Sequence, residues 1–400
     1  MESLKYFLKY VAIDTQSDDA SQTAPSTLKQ LNLAKVVLQD LKDLGLDNAY
    51  IDEFGQVHAF LDGESKLPTI GLNSHMDTAP DYTGKDVKPN IISNYDGKPI
   101  QLNNNLVLDP EVFPILKAAK GSTVVTTDGT TLLGADDKAG ISIIMNLLSY
   151  LVKNPNIKHH PLSIMFTCDE EIGRGADHFD NNIFKAKYAF TVDGASPFIA
   201  EYENFNAAHA IVKITGTSIH PGEAKGKMIN AASVAMEFDS LLNSDEVPEK
   251  TEGYEGFHHL TDIKGDTAFA QLEYIIRDHD INKLHDKVAD FEKAKQEIMS
   301  RYPKLKGIEL ITGYDYKNMK EKFVDNDDAL KKIELAYKNL GINFSYEAIR
   351  GGTDGATFSY KGCPTPNLGT GSYNHHGPLE FLVKEQHDLM IEVLKEIVKA

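Results

Sequence analysis

Several apolar runs of strand length in this chain end in a carboxylate or an imidazole, and that recurrence limits the folds open to it. Thr69-Ile70-Gly71-Leu72-Asn73-Ser74 runs into His75-Met76-Asp77, Leu162 to Thr167 into Asp169-Glu170-Glu171, and Tyr188 to Val192 into Asp193-Gly194. Helical patterns alternate with these runs: Leu4, Phe7, Leu8 and Val11; Leu31, Ala34, Leu38 and Leu41; Ile141, Ile144, Leu147, Leu148 and Leu151. Alternating strands and helices imply an open α/β sheet whose site lies at the strand C-termini, assembled from separate loops. At the head of the third helix, Gly134-Ala135-Asp136-Asp137-Lys138-Ala139-Gly140 sets two carboxylates in a Gly-flanked turn, where the helix dipole favours negative charge. An acidic cap is the ordinary reading of such a pair, and the other strand-end ligand types favour a metal site around Asp136.

From about Asn206 the rhythm changes. Strand 208–215, helix 228–242, strands near 258–264 and 267–277, helix 281–301 and strand 308–313 give the β-α-β-β-α-β order of a ferredoxin-like domain. After Asn318 the α/β pattern resumes with helix 328–340, the Arg350-Gly351-Gly352-Thr353-Asp354-Gly355 segment, Asn374-His375-His376-Gly377 and a last helix from Lys384. The expected division is a discontinuous catalytic domain, 1–205 with 318–400, and an inserted lid, 206–317. Residues 79–134 form a long polar excursion, in which Asp128-Gly129 predicts a hairpin joining Thr123–Thr126 to Thr130–Leu133.

With 41% hydrophobic residues in 400, the chain can bury a large core. Its formal net charge of −18 argues against nucleic acid or an anionic membrane as partner, since both need a basic footprint. The only cysteines, Cys168 and Cys363, form neither a CxxC nor a disulfide framework. Together with an amphipathic first helix and no long apolar run, they suggest a cytoplasmic protein.

The strand-end set is His75, Asp77, Asp136, Asp137, Glu170, Glu171, Asp193, His375 and His376, imidazoles and carboxylates without thiolates. Such donors suit zinc, manganese or cobalt, and a carboxylate between two ions can bridge them. Asp136 is the best placed to do so. Asp137 and Lys138 read as turn and helix-start residues, and His375 as a bystander beside His376.

The motifs His75-Met76-Asp77-Thr78, Gly134 to Gly140, Thr167-Cys168-Asp169-Glu170-Glu171-Ile172-Gly173, Thr191-Val192-Asp193-Gly194, Tyr373-Asn374-His375-His376-Gly377 and Ile219-His220-Pro221-Gly222 resemble, in order and over nearly the whole chain, the dizinc exopeptidase family that includes carboxypeptidase G and aminoacylases. The resemblance is strongest to its tripeptide aminopeptidases. It implies a mixed open sheet of zinc-exopeptidase type, helices on both faces, with a ferredoxin-like lid. It further implies one zinc on His75 and Asp193, a second on Glu171 and His376, and Asp136 spanning both, with cobalt or manganese as substitutes. Glu170 is then the general base toward a bridging water, Asp77 orients His75, the Asp136–Asp137 peptide is cis, and lid His220 assists the oxyanion.

Arg277 at the end of a lid strand and Arg350 before the Gly-rich turn are candidates to hold a substrate carboxylate, with surface or interdomain ion pairs as the plainer reading of each. Cys168 stands where these relatives commonly have Pro, and His375 where they often have Tyr. The expected function is release of the N-terminal residue from tripeptides, and a homodimer is compatible with it. Alternatives on the same scaffold are a dipeptidase, a carboxypeptidase or an N-acyl amino acid amidohydrolase. A non-catalytic peptide-binding protein would be expected to show a broken ligand set.

Overall fold

A computed structural model describes residues 1–400. The chain forms two compact units, one of residues 1–202, 321–347 and 353–400, the other of 203–320 and 348–352. The second unit is thus slightly longer than the expected 206–317 and takes in a short return of the chain. That return is held by Arg350, which donates to the carbonyls of Gly253 and Glu255 (both 2.8 Å), and by Ile349, whose carbonyl faces His279 Nε2 at 3.1 Å.

In the first unit an eight-stranded sheet runs in the spatial order Tyr50–Ile51, Val57–Leu61, Leu162–Thr167, Ile70–His75, Tyr188–Gly194, Asn367–Gly369, Ile199–Asn204, Ser345–Ile349. The four central strands pair parallel, and their neighbours on either side pair antiparallel. Every residue of Leu162–Thr167 and Ile70–His75 is buried, as expected for central strands covered on both faces. The helix Ala135–Lys153 lies against the sheet so closely that a Cβ on Gly140 would meet Val192 O at 1.8 Å. Its apolar start, Ala135 and Ala139, packs with Phe7 and Val11 of the first helix. No helix is long and apolar enough to cross a membrane.

The hairpin expected at Asp128-Gly129 does not form. Val124–Thr126 pairs instead with Asn90–Ile92 and Phe381–Val383 in a second, four-stranded sheet. Thr127 Oγ1 closes the turn by accepting Gly129 N–H at 2.8 Å and donating to Thr131 O at 3.1 Å. Beyond it, the N–H groups of Leu133 and Gly134 go to a side chain, Glu380, and not to a partner strand.

The second unit has the strand order Phe257–Gly265, Phe269–Asp278, Asn206–Thr215, Gly307–Tyr316, antiparallel throughout, which is the ferredoxin-like arrangement. Alternate residues Ala208, Ala210, Val212 and Ile214 face the helices Ala231–Asp239 and Ile281–Arg301 and meet Val234, Phe238, Leu284 and Phe291. The first of these helices begins at 231 rather than 228 because Asn230 caps it, accepting from Ala232 N at 3.0 Å.

Candidate metal centre

Three adjacent parallel strands bring His75, Asp193 and the loop Asp169–Glu171 to one edge of the sheet, and the turn before the helix 135–153 sets Asp136 among them. His75 Nε2 lies 2.9 Å from Asp136 Oδ1 and 3.3 Å from Asp193 Oδ1. His376 Nε2 lies 2.9 Å from Glu171 Oε2 and 3.5 Å from Asp136 Oδ2. Two donor sets result, His75–Asp136–Asp193 and Asp136–Glu171–His376, with the ligand atoms of each within 4.8 Å of one another. The two oxygens of Asp136 face different sets, which is the disposition of a bridging carboxylate. The Asp136–Asp137 peptide is cis.

The side chains around these donors have specific tasks. Asp77, fully buried, accepts Glu170 N–H at 3.0 Å through Oδ1 and Glu171 N–H at 3.1 Å through Oδ2. Its backbone carbonyl lies 3.1 Å from His75 Nδ1. One residue therefore fixes both the imidazole and the loop carrying the two glutamates. Glu170 Oε2 stands 4.0 Å from His75 Nε2, beside the first set without belonging to either.

The electrostatics are those of an acidic cluster short of counter-charge. Burial pushes the carboxyl of Glu171 up to about 7 and that of Asp193 up to about 6, and holds Glu170 well above the ordinary range. Burial opposes ionisation of Asp136 too, but His375, His376 and His75 outweigh it and hold that group well below the usual value. Hydrogen bonds to Asp136 and Glu171 raise His376 to about 11. Cations are what these donors lack, so the residues present fit a metal.

Three neighbours do more than their sequence reading. Asp137, fully buried, accepts from Ser74 Oγ, from His75 N–H at 3.2 Å and from Gly140 N–H at 3.1 Å, tying strand to helix. Lys138 is buried as well and donates to Ile13 O at 2.7 Å. His375, read as a bystander, places Nδ1 at 3.2 Å from Asp136 Oδ2 and Nε2 at 2.8 Å from Ser372 Oγ. The His375-His376 doublet was the only sequence signal for that contact.

His220, Arg277 and Arg350 belong to the second unit. His220 is exposed and its Nδ1 accepts Gly222 N–H at 3.2 Å. Arg277 Nη1 donates to Ala208 O (3.0 Å) and Ile276 O (2.9 Å), and the guanidinium lies 5.3 Å from the Tyr316 ring centroid. Arg350, expected on the catalytic domain, is engaged through both terminal nitrogens with residues 251–255 and packs over Phe205 and Phe257. Those bonds make it a brace of that loop and not a free cation.

Residues 126–400 match the family described as Peptidase family M20/M25/M40. The chain belongs to this family and is a metal-dependent peptidase. It is 46% identical to Peptidase T of Brevibacillus brevis over 402 residues, with 100% of this chain and 98% of that protein covered. Peptidase T of Bacillus subtilis is 47% identical over the same shares. Among solved structures, a tripeptidase from Staphylococcus aureus superposes with a TM-score of 0.78 at 23% identity, covering 99% of this chain and 97% of that one, which shows a shared fold.

Proposed function

We propose that the chain is an aminopeptidase that releases the N-terminal residue from tripeptides with two zinc ions, His75, Asp136 and Asp193 holding one and Asp136, Glu171 and His376 the other. The observation that carries this reading is the division of the Asp136 oxygens between two imidazole–carboxylate sets. When bound, the ions would supply Lewis acidity at the scissile carbonyl and lower the pKa of water. Glu170 lies next to the donors and outside them, so its carboxylate is free to take the proton of the attacking water and return it to the leaving amine. Asp77 keeps that carboxylate in place by holding the Glu170 and Glu171 N–H groups. His220 of the second unit serves the oxyanion, and its exposed ring is available for that purpose.

Length selection needs a cation about 7 Å from the scissile carbonyl, the span of two extended residues to the C-terminal carboxylate. Arg350 is engaged through both terminal nitrogens, whereas the bonds of Arg277 to Ala208 O and Ile276 O and its 3.8 Å approach to Asp315 run through Nη1, which makes Arg277 the better candidate. Both cysteines are free and buried, which fits a reducing compartment, and we place the activity in the cytoplasm.

A panel of di-, tri- and tetrapeptides together with an N-acetylated tripeptide, assayed with zinc and then with chelator, tests this reading. Zinc-dependent hydrolysis confined to free tripeptides is the expected result. Preference for dipeptides or for the acylated substrate would move the chain to another activity of the same scaffold. Peptide binding without turnover would make it a binding protein.

A further inference from the structure

The Leu133–Asp136 turn presents Asp136 to both donor sets, and three of its backbone N–H groups find their acceptor outside the turn. Gly134 has φ +75°, Asp136 φ −83° and ψ 107°, and Asp137 φ −119° and ψ 36°, so the segment is not helical although a helix follows. The N–H groups of Leu133, Gly134 and Asp136 are therefore donors without helical acceptors, among side chains such as Leu133 and Ala135 that are fully buried. All three are taken by one carboxylate far along the chain. Glu380 Oε2 accepts Leu133 N–H at 2.7 Å and Gly134 N–H at 2.8 Å, and Oε1 accepts Asp136 N–H at 3.0 Å.

Glu380 is 1% exposed, and the charges of His375 and of the buried Lys138 act on it from nearby. Its burial is offset in part by these three bonds, which are of the strong, charge-assisted kind. It also stands four residues after His376, and its own N–H donates to Gly377 O at 3.2 Å. Directly after it, Phe381–Val383 pairs with Val124–Thr126, the strand that leads into the turn. One side chain thus links the segments that carry Asp136 and His376. A bridging carboxylate must sit within about 0.5 Å of its productive place, because both of its oxygens are in use.

We propose that Glu380 is a positioning residue for the metal centre: its carboxylate sets the backbone of the Leu133–Asp136 turn and so fixes Asp136 between the two donor sets. This rests on the proposed function, in which those sets hold zinc. Replacing the carboxylate by an amide of the same shape keeps one acceptor oxygen and turns an NH₂ group toward at least one backbone N–H. The consequence is local, a displaced Asp136, and it should show in the metal more than in the fold.

The test compares wild type, Glu380→Gln and Asp40→Asn. Asp40 is a nearly buried carboxylate on the helix Gln30–Asp43, accepting from Lys9 (2.6 Å) and the Tyr10 hydroxyl (2.9 Å), outside both donor sets. Zinc affinity is read by chelator competition and ligand geometry by the visible spectrum of the cobalt-loaded protein. Glu380→Gln is expected to weaken zinc binding by about 10- to 100-fold and to change the cobalt spectrum. Asp40→Asn should lower the melting temperature and leave both metal readouts at wild-type values. If Glu380→Gln does not fold, Glu380→Asp is measured in its place, with the same changes expected from its shorter reach. A Glu380 variant that binds zinc with wild-type affinity and spectrum overturns the inference, whatever its stability. A wild-type chain that binds no zinc overturns the proposed function and the inference with it.

Discussion

The eight-stranded sheet of the first unit and the four-stranded sheet of the second are both covered by helices, but they treat buried charge in opposite ways. On its helix-covered face the second sheet buries alanine, valine, leucine, isoleucine and aromatic side chains. Where that unit does bury a charge, Lys287, it supplies acids of its own, Glu246 at 2.7 Å and Asp278 at 3.8 Å. The first sheet gathers Asp136, Glu170, Glu171 and Asp193 at its strand ends with imidazoles as their only basic partners. Buried acids without enough counter-charge raise the free energy of the folded chain unless a cation arrives from outside. The first arrangement is built around a ligand, and the second is complete by itself.

The largest expected effect is on catalysis. Glu170→Gln should retain zinc and fold while kcat falls by the roughly 10² to 10⁴ typical of acid–base catalysis, and by more if the same carboxylate positions the water. Near-full turnover in a zinc-loaded variant would remove Glu170 from the reaction. Phe291→Ala should do the reverse, costing about 3 to 5 kcal/mol of stability in the second unit with zinc affinity unchanged, as measured by denaturant melts and metal titration. A large loss of zinc binding in that variant would show the two regions to be less separate than their cores suggest.

Arg277→Ala should cost on the order of 2 to 5 kcal/mol in kcat/KM for a tripeptide, and far less for the same tripeptide amidated at its C-terminus. Equal losses on both substrates would leave length selection to steric walls.

The smallest effect expected is a pH dependence of stability confined to the metal-free protein. Glu171 and Asp193 have folded pKa values raised to about 7 and about 6, and His375 is raised to about 9, where Asp136 outweighs the opposing effect of burial. Each of these groups binds its proton more tightly when folded, so each contributes stability at low pH that is lost as pH rises through its folded value. The melting temperature of chelated protein should therefore fall between about pH 4.5 and 9, and zinc should flatten that slope. A chelated protein that becomes more stable over the same range would contradict the charge imbalance.

Much of the first region was legible because strand-end ligands leave a simple trace: an apolar run of about six residues, then His, Asp or Glu. The second region was legible through its period-two strands and its helix at 281–301, which the structure reproduces at both ends. What the sequence hid was long-range. Glu380 meets the Leu133–Asp136 turn across nearly 250 residues, and no local pattern marks a buried acid as the acceptor of three N–H groups. The failed hairpin has the same cause, since Asp128-Gly129 signals a turn but cannot say which partner the following N–H groups will meet. Asp137 and Lys138 read as turn and helix-start residues, and their burial stayed hidden because burial of a charge depends on what packs over it. Arg350 was placed in the wrong unit because only tertiary contacts with 251–255 draw it there.

The most direct measurement of the central claim is a calorimetric zinc titration of chelated wild-type protein beside Asp136→Asn. The account expects two zinc ions per chain in the wild type, and weakened binding at both sites from the single change, because Asp136 gives one oxygen to each set. Binding of one ion, or loss at only one of two sites in the variant, would contradict a shared two-metal centre.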